Sequence, residues 1–249
     1  MKFWSPCPCF ALFLHRELVD YETEAQQTGT AARRTGKKGA RPEPMTHTTT
    51  TNHWTLPEPP PSRTDIPVPD EEQCLALWDR FEMLDNIRRH STCVADVATF
   101  LAQKAKDQGH DVDVQLVRAS ALLHDIAKTY AILHGGNHSQ LGGAWMQEVT
   151  GNPVLSSGVT HHVYWPFAID LENHFPQLAV LYADKRVRHD TVVSIADRFE
   201  DLIERYGSTE YIRRRIQATM DQALEVETAF TRFIKVDLNE HTFDCGRME

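Results

Sequence analysis

Residues Ala119–Lys128 read ASALLHDIAK, an apolar helical stretch that stops on a His-Asp pair. Leu116, Val117, Ala119, Leu122 and Leu123 lead into it with helical periodicity, and either Asp111 or Asp113 can cap its start. His124 and Asp125 are consecutive, so on a helix their side chains diverge by about 100°. One cation at the edge of both, or a carboxylate shared between two cations, suits that divergence. Neutral imidazole and carboxylate are the usual ligands of Zn, Mn, Fe and Co.

Upstream, Ile87, His90, Val94, Val97, Ala98, Leu101 and Ala105 follow the i, i+3, i+4, i+7 rule, which puts His90 on the buried stripe of a helix running from about Asn86 to Gln108. Downstream come His138 (GGNHSQLGGAW), His161 and His162 (GVTHHVYW), and Asp184 at the end of the apolar run Leu178–Ala183. Burying any of these polar groups alone costs several kcal/mol, and a shared cation offsets all of them. Between themselves, Asp125 and Asp184 are expected to repel in the metal-free protein.

The order H…HD…H…H…D, with HDIAK for the more usual HDIGK and YADK around the last aspartate, resembles the HD-domain superfamily of metal-dependent phosphohydrolases over about residues 86–206. The resemblance implies an all-α, compact helical bundle and one or two divalent transition metal ions (Fe, Mn, Co, Ni or Zn). It places His90, His124, Asp125 and Asp184 on a first ion. His138 and either His162 or His161 resemble the two-metal branch, with Asp125 bridging and His162 the favoured choice. The interval from Asp125 to His138 is short for that branch. Asp125 and Lys128 are the expected catalytic residues; Arg89, Lys128, Lys185 and Arg188 are candidates for binding a small phosphorylated substrate such as a nucleotide or dinucleotide. The alternatives on the same scaffold are a non-catalytic signalling or binding module, against which the intact ligand set argues, and a di-iron oxygenase. The sequence holds no GxSxG, P-loop or GxGxxG pattern.

The 249 residues carry a net charge of −9, unevenly spread. Residues 1–44 hold seven basic and five acidic side chains, so the other 205 carry −11, from 19 basic and 30 acidic. So acidic a domain disfavours nucleic acid, whose non-specific binding rests on Lys and Arg. No stretch approaches the ~18–20 apolar residues of a membrane span. Five dispersed cysteines (7, 9, 74, 93 and 245) read as reduced thiols of a cytoplasmic protein.

Residues 1–69 form a basic, then Thr- and Pro-rich extension with too little apolar surface to fold alone. Met45 offers an alternative start. The domain is expected over 70–236, with a tail at 237–249. Within it, Asp70 and Gln73 make a capping box for a short helix to Phe81. A helix capped by Asn137 carries Gly142 and Gly143, where another helix should approach closely. Pro153 opens a helix ending near His161-His162, and Tyr164, Trp165 and Phe167 follow as core packing or a base-stacking wall. Further helices are expected from Pro176 to Lys185, from Thr191 to Tyr206, and from a Ser208 cap onward. No strand is expected.

Overall fold

A computed structural model describes residues 66–238 and residue 243. The expectations for the extension, Cys7, Cys9 and Cys245 lie outside the described residues. Helix α1 (Glu71–Arg80) starts at the capping box, where Asp70 accepts from the Gln73 amide at 2.8 Å and the Gln73 side chain accepts from the Asp70 amide at 3.0 Å. Its Trp78 indole donates to the Leu122 carbonyl at 2.8 Å, which fixes α1 over α3 (Val114–Leu123). Asp113, not Asp111, caps α3. Between them runs α2 (Asp85–Asp107), whose apolar stripe is buried together with His90.

Beyond α3 the chain turns into a short helix that the sequence did not announce, α4 (Lys128–His134). Gly135 and Gly136, both at positive φ, end it. Helices α5 (His138–Thr150) and α6 (Pro153–His161) follow, each capped by an asparagine, Asn137 and Asn152. They pack closely where the two glycines permit it. A Cβ on Gly143 would lie 1.9 Å from Thr160 Oγ1, and one on Gly142 would lie 3.1 Å from Val159 Cγ1.

The central element is α7 (Leu171–Lys185), buried along nearly its whole C-terminal part and in contact with α2, α3, α6 and the last helix. It begins earlier than Pro176. Asp170 caps it, and the proline sits inside, with a break at His174 (φ −132°, ψ 34°). Proline has no N–H for the helix ladder and crowds the preceding turn, which accounts for the kink. Two short antiparallel strands, β1 (Val187–Arg188) and β2 (Thr191–Val192), occupy what sequence periodicity assigns to loop and helix start. Consequently α8 (Ile195–Tyr206) begins at Ser194 rather than Thr191. The last helix, α9 (Glu210–Ile234), is capped by Thr209 rather than Ser208. The fold remains all-α in class.

Packing continues at two described positions past residue 236. Leu238 and Phe243 are buried, and Phe243 packs edge-on against Phe100. Arg186 donates to the Leu238 carbonyl at 3.0 Å, pairs with Glu227 of α9 at 3.0 Å, and receives support from Tyr182. Leu238 and Phe243 of the expected tail are therefore part of the packing. Among the described residues, no helix is long and apolar enough to cross a membrane.

Candidate metal centre

Helix α3 ends at His124, and the next residues are held by i to i−3 bonds: Ile126 N to Leu123 O at 3.1 Å and Lys128 N to Asp125 O at 2.9 Å. This tighter winding separates the side chains of His124 and Asp125 by more than an α-helix would. His90 comes from the stripe of α2, His138 from the first turn of α5, His162 from the end of α6, and Asp184 from the last turn of α7. Short α4 and its glycine turn fold the Asp125–His138 interval back on itself, so its brevity is no obstacle.

The two oxygens of Asp125 face different partners. Oδ2 lies 3.4 Å from His124 Nε2 and 3.9 Å from His90 Nε2, and takes a 2.6 Å bond from Lys128 Nζ. Oδ1 lies 3.1 Å from His138 Nε2 and 3.7 Å from His162 Nε2. Asp184 Oδ1 joins the first group, 3.1 Å from His90 Nε2 and 3.9 Å from His124 Nε2. Three imidazoles turn Nδ1 to a main-chain carbonyl at 2.7 Å: His90 to His189, His124 to Ala121, His162 to Val159. A carbonyl only accepts, so each Nδ1 carries a proton, and each ring in its neutral form offers its Nε2 lone pair inward. His124 Nε2 and Asp125 Oδ1 are buried with no hydrogen-bond partner. Orphaned acceptors converging in this way fit divalent cations.

Burial keeps the His90 and His138 imidazoles neutral by pushing their pKa values down. It pushes His162 furthest, with His124 and His138 adding to the effect. His124 differs: burial works against its charge, yet the Asp125 carboxylate prevails and raises it. Burial also opposes ionisation of the two carboxyls. Lys128 and His124 nonetheless hold Asp125 well below the usual range, and Lys185 and His90 do the same for Asp184.

The HD domain family profile matches residues 87–202. This chain carries an HD domain. An uncharacterised protein of Methanocaldococcus jannaschii is 26% identical over 150 residues, 55% of this chain and 88% of that protein. A tRNA (cytidine(56)-2'-O)-methyltransferase of Thermoplasma volcanium is 35% identical over 75 residues, 30% of this chain but 20% of the methyltransferase. The crystal structure of a predicted HD superfamily hydrolase from an uncultured Thermotogales bacterium aligns at 20% identity with a TM-score of 0.40, covering 66% of this chain and 92% of that one.

Within the HD domain, six of the residues expected around the metals come together: His90, His124, Asp125, His138, His162 and Asp184. His161 does not. Its ring packs edge-on against Trp165 and Phe167, away from the centre. Trp165 is buried, its indole bonded to the Ala168 carbonyl, so these aromatics are core rather than a wall for a base. A cleft of about 520 Å³ opens beside the centre, and Lys128 and Arg89 line it. Arg89 is largely exposed and pairs with Asp190 at 3.3 Å. Lys185, expected to hold substrate, is buried instead, donating to Asp184 at 2.7 Å and to the His162 carbonyl at 3.2 Å. Arg188 lies in β1 outside the cleft.

Sequence reading missed the α8 residues that line the cleft, Arg198, Asp201, Leu202 and Arg205. The spacing of Arg198, Asp201 and Arg205 (i, i+3, i+7) places these three on one face of α8, a polar stripe visible in the sequence beside the apolar one.

Proposed function

We propose that this protein is a metal-dependent phosphohydrolase that cleaves a phosphate ester or anhydride of a nucleotide. The observation that carries the reading is the convergence of four imidazole Nε2 atoms on the two oxygens of Asp125, at the end of a cleft bordered by lysine and arginine. His90, His124, Asp125 and Asp184 would hold one ion; Asp125, His138 and His162 would hold a second. Divalent ions such as Fe, Mn, Co, Ni or Zn lower the pKa of water to about 7 and take up charge that develops on phosphoryl oxygens.

Lys185 sets the orientation of Asp184 by holding Oδ2, which leaves Oδ1 toward His90. Burial works against the charge of Lys128, but Asp125 and Asp184 outweigh it and raise its pKa, so the ammonium persists at neutral pH. Its side chain is 31% exposed and borders the cleft, which lets it direct a proton to a phosphoryl oxygen while it keeps its bond to Asp125. The cleft volume falls within the range of small-molecule sites. Ile87, Ala131, Ile132 and Tyr206 supply apolar lining on which a base can rest.

The deciding experiment is a screen of metal-reconstituted protein against nucleoside monophosphates, dinucleoside polyphosphates and cyclic dinucleotides, read as released phosphate or nucleotide. Metal-dependent turnover of one class is expected. Oxygen uptake on reduction of the metal form, with no phosphorus–oxygen cleavage on any substrate, would transfer the protein to oxygenase chemistry.

A further inference from the structure

Arg198 stands in the first turn of α8 and borders two spaces: the open cleft, and a smaller cavity of about 40 Å³ against Asp125, His138, His162 and Asp184. Among the described residues that border both, Lys128 and Arg198 are the permanent cations. The other basic groups here are engaged: Lys185 by Asp184 at 2.7 Å, Arg205 by Asp201 at 2.9 Å, Arg89 by Asp190 at 3.3 Å. Arg198 is held more loosely, by a single long ion pair. Its Nη1 is 3.6 Å from Asp201 Oδ2, longer than a charge-assisted bond of about 2.7–2.9 Å. Its Nε is buried with no hydrogen-bond partner. A buried donor left without an acceptor is costly, and an oxyanion arriving in the cavity relieves it.

We propose that Arg198 is a substrate-binding residue whose guanidinium takes the oxygens of the phosphoryl group presented to the centre, across from the Lys128 ammonium, so that the site selects a terminal phosphoryl group over a phosphodiester. The inference rests on the phosphohydrolase reading. A guanidinium fork matches two phosphoryl oxygens at once, which an ammonium does not. A terminal phosphoryl group has three free oxygens and a charge between about −1.5 and −2. A diester has two free oxygens and a single charge. Two cationic donors in addition to a metal centre therefore favour the terminal group.

The test titrates inorganic phosphate into metal-loaded wild type, Arg198→Gln and Arg198→Lys by calorimetry. It also measures kcat/KM on p-nitrophenyl phosphate and on bis(p-nitrophenyl) phosphate. Arg198→Gln should weaken phosphate by about tenfold or more, the loss of a charge-assisted bond, with melting temperature and metal content unchanged. Arg198→Lys should recover part of that, since it restores charge without the fork. Monoester kcat/KM should follow phosphate affinity while the diester changes less than about threefold, having fewer oxygens to lose. Phosphate affinity that ignores Arg198→Gln overturns the assignment. An equal fall on both esters overturns the selection for a terminal group. Loss of metal or of folding in both variants places Arg198 in the scaffold and also overturns it. If wild type hydrolyses neither these esters nor any nucleotide of the screen above, yet phosphate affinity depends on Arg198, the hydrolase reading fails and the anion site stands.

Discussion

Asp125→Asn in the metal-free protein tests how the buried charges balance. The substitution keeps the shape and removes one charge. Read from sequence, Asp125 and Asp184 repel, and neutralising either should raise the melting temperature. The structure gives each carboxylate its own lysine, Lys128 at 2.6 Å and Lys185 at 2.7 Å, so the expected sign reverses. Removing one partner of a buried pair costs about 3–5 kcal/mol. Lys128 is 31% exposed and can turn to water, which reduces the figure to about 2 kcal/mol. A domain of this size moves about 2–4 °C per kcal/mol, so a fall of about 4–8 °C is expected. The assay is thermal melting in chelator of wild type, Asp125→Asn, Lys128→Met and the double variant. Its coupling term isolates the pair at about 1–2 kcal/mol. An Asp125→Asn variant that melts level with wild type or above it would show the carboxylate to be unbalanced without metal, and the reasoning would be wrong.

Three further outcomes are expected. By elemental analysis, His138→Ala should lose one ion and retain the other, while His161→Ala keeps the wild-type content; a wild type that never exceeds one ion under saturating metal removes the second site. In the metal-free protein, burial holds the folded pKa of His162 well below 6.5, so the unfolded chain takes the proton first. Stability is then present above pH 6.5 and is lost as pH falls below it, by up to about 1.4 kcal/mol per pH unit, and melts between pH 6.5 and 5 should show a shallower loss in His162→Gln. Gly143→Val should cost about 2–3 kcal/mol by forcing α5 and α6 apart, because even the first carbon of its side chain meets Thr160, and it should lower second-ion content, since His138 and His162 lie on those two helices.

Much of this was legible in one dimension because helical periodicity is local. The stripe that buries His90, the Asp70–Gln73 box, and the paired glycines of α5 each follow from residues within a few turns. What failed was non-local. Nothing around Pro176 tells that Asp170 starts the helix and that the chain tolerates a break at His174. Two-residue strands are below the length at which alternation can be read. Lys185 was placed on the substrate side, and Arg198 was not noticed, for a similar reason. A basic residue beside a site aspartate suggests substrate, and only the packing of α7 reveals that Lys185 is turned inward. Arg198 is distant in sequence from every motif residue, and α8 brings it to the cleft.

The main chain, rather than neighbouring side chains, orients three of the four inward imidazoles. For His90 the carbonyl is that of His189, whose positive φ of 60° sits in the turn between β1 and β2. Carbonyls survive almost any substitution of the residue that bears them. The surroundings of the centre can therefore drift, and the cleft wall on α8 can be rewritten for a new substrate, while the geometry of the rings is inherited unchanged. A scaffold built this way separates what must be kept from what can be varied.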